Sequence, residues 1–522
     1  MSTKVETSQG VVIGSEAGGI TSFKGIRYAA PPVGELRFAA PTPPPSWTGE
    51  RDCRNFGPIS LQHIDPLSVV IPGCEWNFYD PDATQSEDCL NLNVWTPDTS
   101  ASLPVLLWIH GGAFLAGSGT GLWSDGSTFA REHNVVVVTI NYRLGAFGFL
   151  VAEDDQAEGG LSANNGLLDQ IAALQWVKEN VAAFGGDPSR VCIFGESAGA
   201  MSISVLLGTP RAEGLFSRAI IQSGHHDAVR TLEQAQRVSE RFLAKFDLSG
   251  PEALAQLRAL DASTVMDAQA ILTTESAVPF TMVVDGHILP VHPIDTIAAG
   301  SATSVPLLIG TNTDENRLFL ALGWGPGVLE GTFADRVAGL FSSTATSSGK
   351  RAELTGELLG LYATDGDDEL DLEQEISNDR MWRAPVRELS NTYRGVGGTV
   401  FSYEFAFSSP VREGELRACH ALEIPFVFGN LHQRGVNEFA GEELADGSTA
   451  GTISKKMNAA WAEFARSGVP TAEGLETWQK TSPSGDEQMC FGAETSFRQD
   501  PHNEKISWWL RHKDMMVPRV DL

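Results

Sequence analysis

Serine, carboxylate and histidine are the side chains from which acyl transfer is built, and this chain offers each in a setting that singles it out. Residues 191 to 200, VCIFGESAGA, run four apolar residues into a serine hemmed in by small residues. The apolar run reads as a buried strand and SAGAMSISVLL suits a helix, so Ser197 falls at a strand-to-helix turn. Glycines 195 and 199 permit a sharp turn and close helix packing, which holds the hydroxyl up in a strained, accessible position. Alone, this G-x-S-x-G match is weak, since roughly 0.4 would arise here by chance. A serine that attacks a carbonyl needs three more parts: a base, a group orienting that base, and donors for the oxyanion.

The stretch LLWIHGGAFLAGS places two glycines and an alanine directly after a buried strand. Small residues there let successive backbone N–H groups converge on one point, as a developing negative charge requires. For the acid, the strand VPLLIGT leads into NTDENRLF, which offers Asp314 and Glu315 at a strand's carboxyl end, the edge where open α/β sheets place their sites. For the base, RACHALEIPFVFG offers His420. Of eleven histidines, His110, His225 and His226 also adjoin these motifs and could line a pocket without taking protons. Only His420 has both an acid upstream at a strand end and the chain order nucleophile, acid, base of α/β-hydrolases.

The elements that must position these groups alternate. SFKGIRYA, CLNLNVWTP, PVLLWIHGG, VVVVTINYR, RVCIFGE, RAIIQSG, VPLLIGT, TVFSYEF and QMCFG read as strands, with a long helix around LLDQIAALQWVKENVAAFGG. Such alternation predicts an α/β fold with a mostly parallel central sheet and helices on both faces. Helical stretches at roughly 229–272 and 326–393 do not alternate with strands and read as cap insertions in one catalytic domain spanning 1–522. The 522 residues, 42% hydrophobic, fit a large folded α/β protein and exclude the disordered and fibrous classes. A net charge of −29 argues against nucleic-acid and anionic-membrane partners. The longest apolar runs, LPVLLWI and VVVVTI, are too short to cross a bilayer. With no leader-like apolar segment at the start, the expected location is cytoplasmic. Six cysteines show no zinc spacing, and Cys192 and Cys490 lie in strand-like runs as buried thiols.

Taken together, GIRYAAPPVGELRF, SEDCLNLNVWTP, WIHGGAF, NYRLGAFGFL, the long segment ending GESAGA, FSRAIIQSG and HALEIPFVFG resemble the type-B carboxylesterases, the group of para-nitrobenzyl esterases, carboxylesterases and cholinesterases. The resemblance spans most of the chain and implies the α/β-hydrolase fold. It further implies Ser197 as nucleophile, His420 as base and Glu315, the second member of the family's DE pair, as orienting acid. Asn316 stands where the family usually has glycine, which bears on the local turn. The implied oxyanion donors are the N–H groups of Gly112, Ala113 and Ala198. Glu196 resembles the family's buried carboxylate beside the nucleophile, with Ser223 ordering the His420 side. Arg37 with Glu87, and Arg143 with Asp169, resemble the family's buried ion pairs. Neither Cys53 nor Cys74 falls at the usual spacing from Cys89, so free thiols are expected.

These parts imply a serine carboxylesterase acting on small to medium esters through an acyl-enzyme, without metal or organic cofactor. Phe114, Leu318, Phe319 and Trp76 flank the motifs and are expected to line an apolar gorge. The expected partner is a small-molecule ester, and the expected state is a monomer or weak homo-oligomer. Amide or carbamate hydrolysis by the same triad is an alternative. A non-catalytic adhesion protein is another, although every catalytic part is kept.

Overall fold

The computed structural model describes residues 2–63, 79–80, 82–154, 156–274, 278–323, 331–343, 345–362, 368–441, 444–445, 447–482 and 484–516. Its strands are β1 (Ser2–Glu6), β2 (Val11–Ala17), β3 (Ile20–Arg27), β4 (Glu50–Asp52), β5 (Asn91–Thr96), β6 (Leu103–Ile109), β7 (Val136–Ile140), β8 (Ala152–Glu153), β9 (Leu161–Ser162), β10 (Gly186–Glu196), β11 (Arg218–Gln222), β12 (Val229–Thr231), β13 (Met282–Val284), β14 (Leu307–Asn312), β15 (Val400–Phe405), β16 (Glu487–Phe491) and β17 (Ser496–Gln499). One sheet runs β1, β2, β3, β5, β7, β6, β10, β11, β14, β15, β16, β17, with β4 beside β2. From β7 to β16 every neighbouring pair is parallel. The flanking pairs β1/β2, β2/β3, β3/β5, β5/β7 and β16/β17 are antiparallel.

The reason for continuous apolar runs in the central strands lies in their two covered faces. Along β6, Val105, Leu107 and Ile109 enter one hydrophobic cluster while Leu106 and Trp108 enter another. Along β10, Val191 and Ile193 divide from Cys192 and Phe194 in the same way. The first cluster is closed by the helices Asn165–Asn180, Ala198–Leu206 and Leu232–Leu243, the second by Ser127–His133, Ile424–Phe428 and Thr449–Ser467. Helices thus cover both faces, and the parallel strands point their carboxyl ends to one edge.

Within 229–272, the helices Leu232–Leu243, Ala253–Arg258 and Ala262–Thr273 contribute Phe242, Leu254, Leu257 and Val265 to the first cluster. The helices Phe333–Gly339, Ser348–Tyr362 and Glu369–Asn378 share a separate core with Ile506, Trp508 and Trp509 of the helix Asn503–His512. Both ion pairs form. Arg37 grips Glu87 at 2.6 Å through Nε and Nη2, and Arg143 grips Asp169 at 2.8 and 2.7 Å, the latter pair fully buried. Cys53, Cys89, Cys192, Cys419 and Cys490 are free and buried. Cys74 lies outside the described residues. Among the described residues no helix is long and apolar enough to cross a membrane.

Candidate active site

Four of the parallel strands deliver their ends to the same place. Ser197 follows β10 directly and starts the helix Ala198–Leu206 with φ 53° and ψ −124°, a conformation that L-residues avoid at a cost of about 1–3 kcal/mol. What keeps it there is close packing on both sides. A Cβ on Gly199 would meet the Ile109 carbonyl oxygen at 1.9 Å, so only glycine lets the helix seat against β6. The Ser197 N–H donates to the Gln222 carbonyl of β11 at 2.9 Å.

After β6, residues 112, 113 and 114 all take positive φ (103°, 55° and 59°). This left-handed run swings the backbone toward the elbow. A Cβ on Gly111 would come within 2.7 Å of Glu196 Oε2 and 3.1 Å of Ser197 Cβ, and one on Gly112 within 2.3 Å of the Ala116 oxygen. His110 sits beneath this loop. Its Nδ1 lies 2.9 Å from the Gly111 oxygen, its ring stacks on Tyr142 at 4.4 Å, and burial pulls its pKa down to about 4.

Glu315 follows β14 and is fully buried. One carboxylate oxygen, Oε1, accepts from Ser223 Oγ at 2.5 Å and from the Asn312 N–H at 2.8 Å, which leaves Oε2 aimed at His420 Nδ1, 2.7 Å away. Backbone bonds fix the pairing of the two loops: Asp314 N–H to the Ala418 oxygen at 3.0 Å, and His420 N–H to the Glu315 oxygen at 3.2 Å. Asn316 takes ordinary helical backbone angles at the start of the helix Asn316–Ala321, so the turn does not need glycine. Its side chain has work of its own, accepting from Trp382 Nε1 at 3.1 Å.

At the other face of the imidazole, Nε2 lies 3.0 Å from Glu196 Oε1, off the axis of a hydrogen bond, and has no hydrogen-bond partner. His420 is therefore hydrogen-bonded to Glu315 and not to Ser197. Burial pulls the imidazolium down, but Glu196 and Glu315 outweigh it, and His420 is pushed well above its ordinary value. Glu196 is raised by burial against the opposing pull of His420. Catalytic hydrogen bonds are commonly long in unliganded sites and tighten around the reacting substrate.

Two groups here, Trp382 and Glu423, are not among those singled out in the sequence. Trp382, in a π-helical turn Asp379–Arg383, packs its ring 4.5 Å from that of His420, and Phe319 stacks on Trp382 at 6.0 Å while lying 5.1 Å from His420. Glu423 accepts from Asn312 Nδ2 at 2.7 Å and Gln222 Nε2 at 3.1 Å, and burial beside Glu196 and Glu315 pushes it to about 8. Its spacing of three from His420, and the lone tryptophan in NDRMWRAP, are the hints the sequence held. Phe114 is 1% exposed against Phe149, and Leu318, 2% exposed, belongs to the core. Of the described residues read as lining a gorge, Phe319 alone is both partly exposed and against a site ring. Trp76 lies outside the described residues.

A sequence profile of the carboxylesterase family matches residues 1–509. The chain belongs to that family. It is 38% identical to the para-nitrobenzyl esterase of Bacillus subtilis over 510 residues, covering 96% of this chain and 97% of that one. Identity to the human cocaine esterase is 35%, covering 88% and 81%. Among solved structures, a PNB esterase superposes with a TM-score of 0.84 at 34% identity, covering 99% of both chains. A Geobacillus stearothermophilus carboxylesterase gives 0.81 at 37%, covering 97% and 100%. This member of the carboxylesterase family thus has the α/β-hydrolase fold and is a carboxylic ester hydrolase of the serine esterase kind.

Proposed function

We propose that Ser197, His420 and Glu315 carry this hydrolysis, with the N–H groups of Gly112, Ala113 and Ala198 as oxyanion donors. The observation that carries the assignment is the 2.7 Å contact of His420 Nδ1 with Glu315, which fixes the ring so that Nε2 faces Glu196, the residue before Ser197 in the chain. Nε2 takes the Ser197 proton as Oγ attacks the ester carbonyl, and Glu315 stabilises the imidazolium that forms. The oxyanion meets three fixed donors, each contributing on the order of 100- to 1000-fold in rate. His420 then protonates the departing alkoxide, and water repeats the sequence on the acyl-enzyme. Glu196 and Ser223 act on His420, the first through charge and the second through Glu315.

The substrate class we assign is small to medium carboxylic esters, on the strength of the aromatic wall made by Phe319 and Trp382. Residues 229–272 and 326–393 are read as helical insertions in one catalytic domain, the working unit as a monomer or weak homo-oligomer. The free thiols support a reducing, cytoplasmic setting. Labelling with a fluorophosphonate tests the nucleophile. One equivalent is expected to attach to the full chain and none to folded Ser197→Ala; equal labelling of the two ends the assignment. Ser197→Ala and His420→Ala should each lower turnover by roughly a million-fold, and the double variant by no more, because the groups act as a unit.

A further inference from the structure

Beyond the last residue of β11 lies a second cluster of ligating groups that the reaction does not use. His226, 1% exposed, holds Nε2 2.9 Å from Asp227 Oδ1 and 3.6 Å from Glu388 Oε2. One ligand atom from each of the three residues lies within 4.8 Å of the others. We propose that His226, Asp227 and Glu388 form a binding site for a divalent transition-metal ion of the zinc type, tying the loop after β11 to the helix Ala384–Gly395.

Donors placed about 2.0–2.2 Å from a tetrahedral zinc stand roughly 3.3–3.6 Å apart, and the distances from His226 Nε2 bracket that range. One imidazole nitrogen and two carboxylates make the borderline nitrogen and oxygen set that zinc accepts, with a fourth position left for water. The charge also points to a cation. Two carboxylates converge here in a mostly buried place, and Lys513 pairs with the other oxygen of Glu388. Glu388 thus presents Oε1 to Lys513 and Oε2 to His226. His226 Nδ1 is buried without a hydrogen-bond partner, and it is Nε2 that faces the two carboxylates. His292 stands edge-on at 5.8 Å, a further imidazole at the rim.

The position gives the site a role. His226 is three residues beyond Ser223, which bonds Glu315, and Glu388 lies one and a half turns past the Trp382 turn. An ion here braces both supports of the catalytic imidazole without touching it.

The test uses the full chain, stripped with a chelator and titrated with Zn²⁺ alone by calorimetry, and with Co²⁺ by visible absorption. One equivalent should bind, the Tm should rise, and Co²⁺ should show the intense bands of a four- or five-coordinate site. His226→Ala and Glu388→Gln should each weaken binding at least ~10-fold, the lower end of what even outer-shell substitutions cost, and abolish the bands. Lys513→Met should tighten it by removing the competing ammonium. Binding that is absent, or that persists unchanged in folded His226→Ala and Glu388→Gln, overturns the proposal and leaves only general attraction to a chain of charge −29. Should His226→Ala fail to fold, Glu388→Gln and Lys513→Met decide. Ser197→Ala must bind Zn²⁺ like the parent chain, which separates this site from the catalytic assignment.

Discussion

One proton is contested between Glu196 and His420. The imidazole sits between two carboxylates that outweigh its burial, and Glu196 is itself raised because burial disfavours its charge. Catalysis needs the imidazole neutral, so kcat/KM should rise with pH through a limb above the ordinary histidine range. Glu196→Gln removes the charge 3.0 Å from Nε2 and should move that limb to lower pH; a limb that stays or moves up contradicts this arrangement. Glu423 has the opposite consequence for stability. Its carboxyl binds a proton more tightly when folded, at about 8, than in the unfolded chain. Its contribution is therefore fully present below the ordinary carboxylate range and is lost as pH rises through about 8. Urea midpoints at pH 6 and pH 9 should differ less in Glu423→Gln than in the parent chain.

Among the elements, the left-handed run at 112–114 is the most exacting. Gly112→Ala brings a Cβ to 2.3 Å from the Ala116 oxygen and displaces the N–H groups of Gly112 and Ala113. Turnover should fall about 100- to 1000-fold with KM little changed, measured by steady-state kinetics on a folded variant. The strand-to-helix turn at Ser197, the left-handed glycine loop after β6 and the pairing of Glu315 with His420 were legible because each motif is compact, with a strand ending in small or polar residues. Chain order alone left Asp314 and Glu315 level, and only family likeness chose between them. Trp382 and Glu423 were not legible, because they reach the imidazole through tertiary packing and their residue types are ordinary in a core. Phe114 and Leu318 were singled out by adjacency to the motifs in sequence, and both are buried, at 1% and 2% exposure.

On the scale of the whole molecule, stability rests on a sheet covered on both faces and pinned by buried charge. Arg143 and Asp169 are 3% and 0% exposed, so removing either strands the other. Asp169→Asn should cost about 3–5 kcal/mol in urea unfolding, whereas the exposed pair Lys4 and Glu50 should cost about 1 kcal/mol or less. Glu315 and His420 stand 105 residues apart in sequence, yet two backbone hydrogen bonds between their loops and the register of β14 on β15 bring them together. A protease that severs the intervening chain once, between 331 and 362 and so short of Asp371 and Asn378, which bond Arg317, Arg417 and Asn316, would deal them to different fragments. The clipped enzyme should go on turning over, because nothing at the severed point crosses the pairing. After complete denaturation its recovery should become second order, faster in concentrated solution, while the intact chain regains activity at a rate independent of dilution.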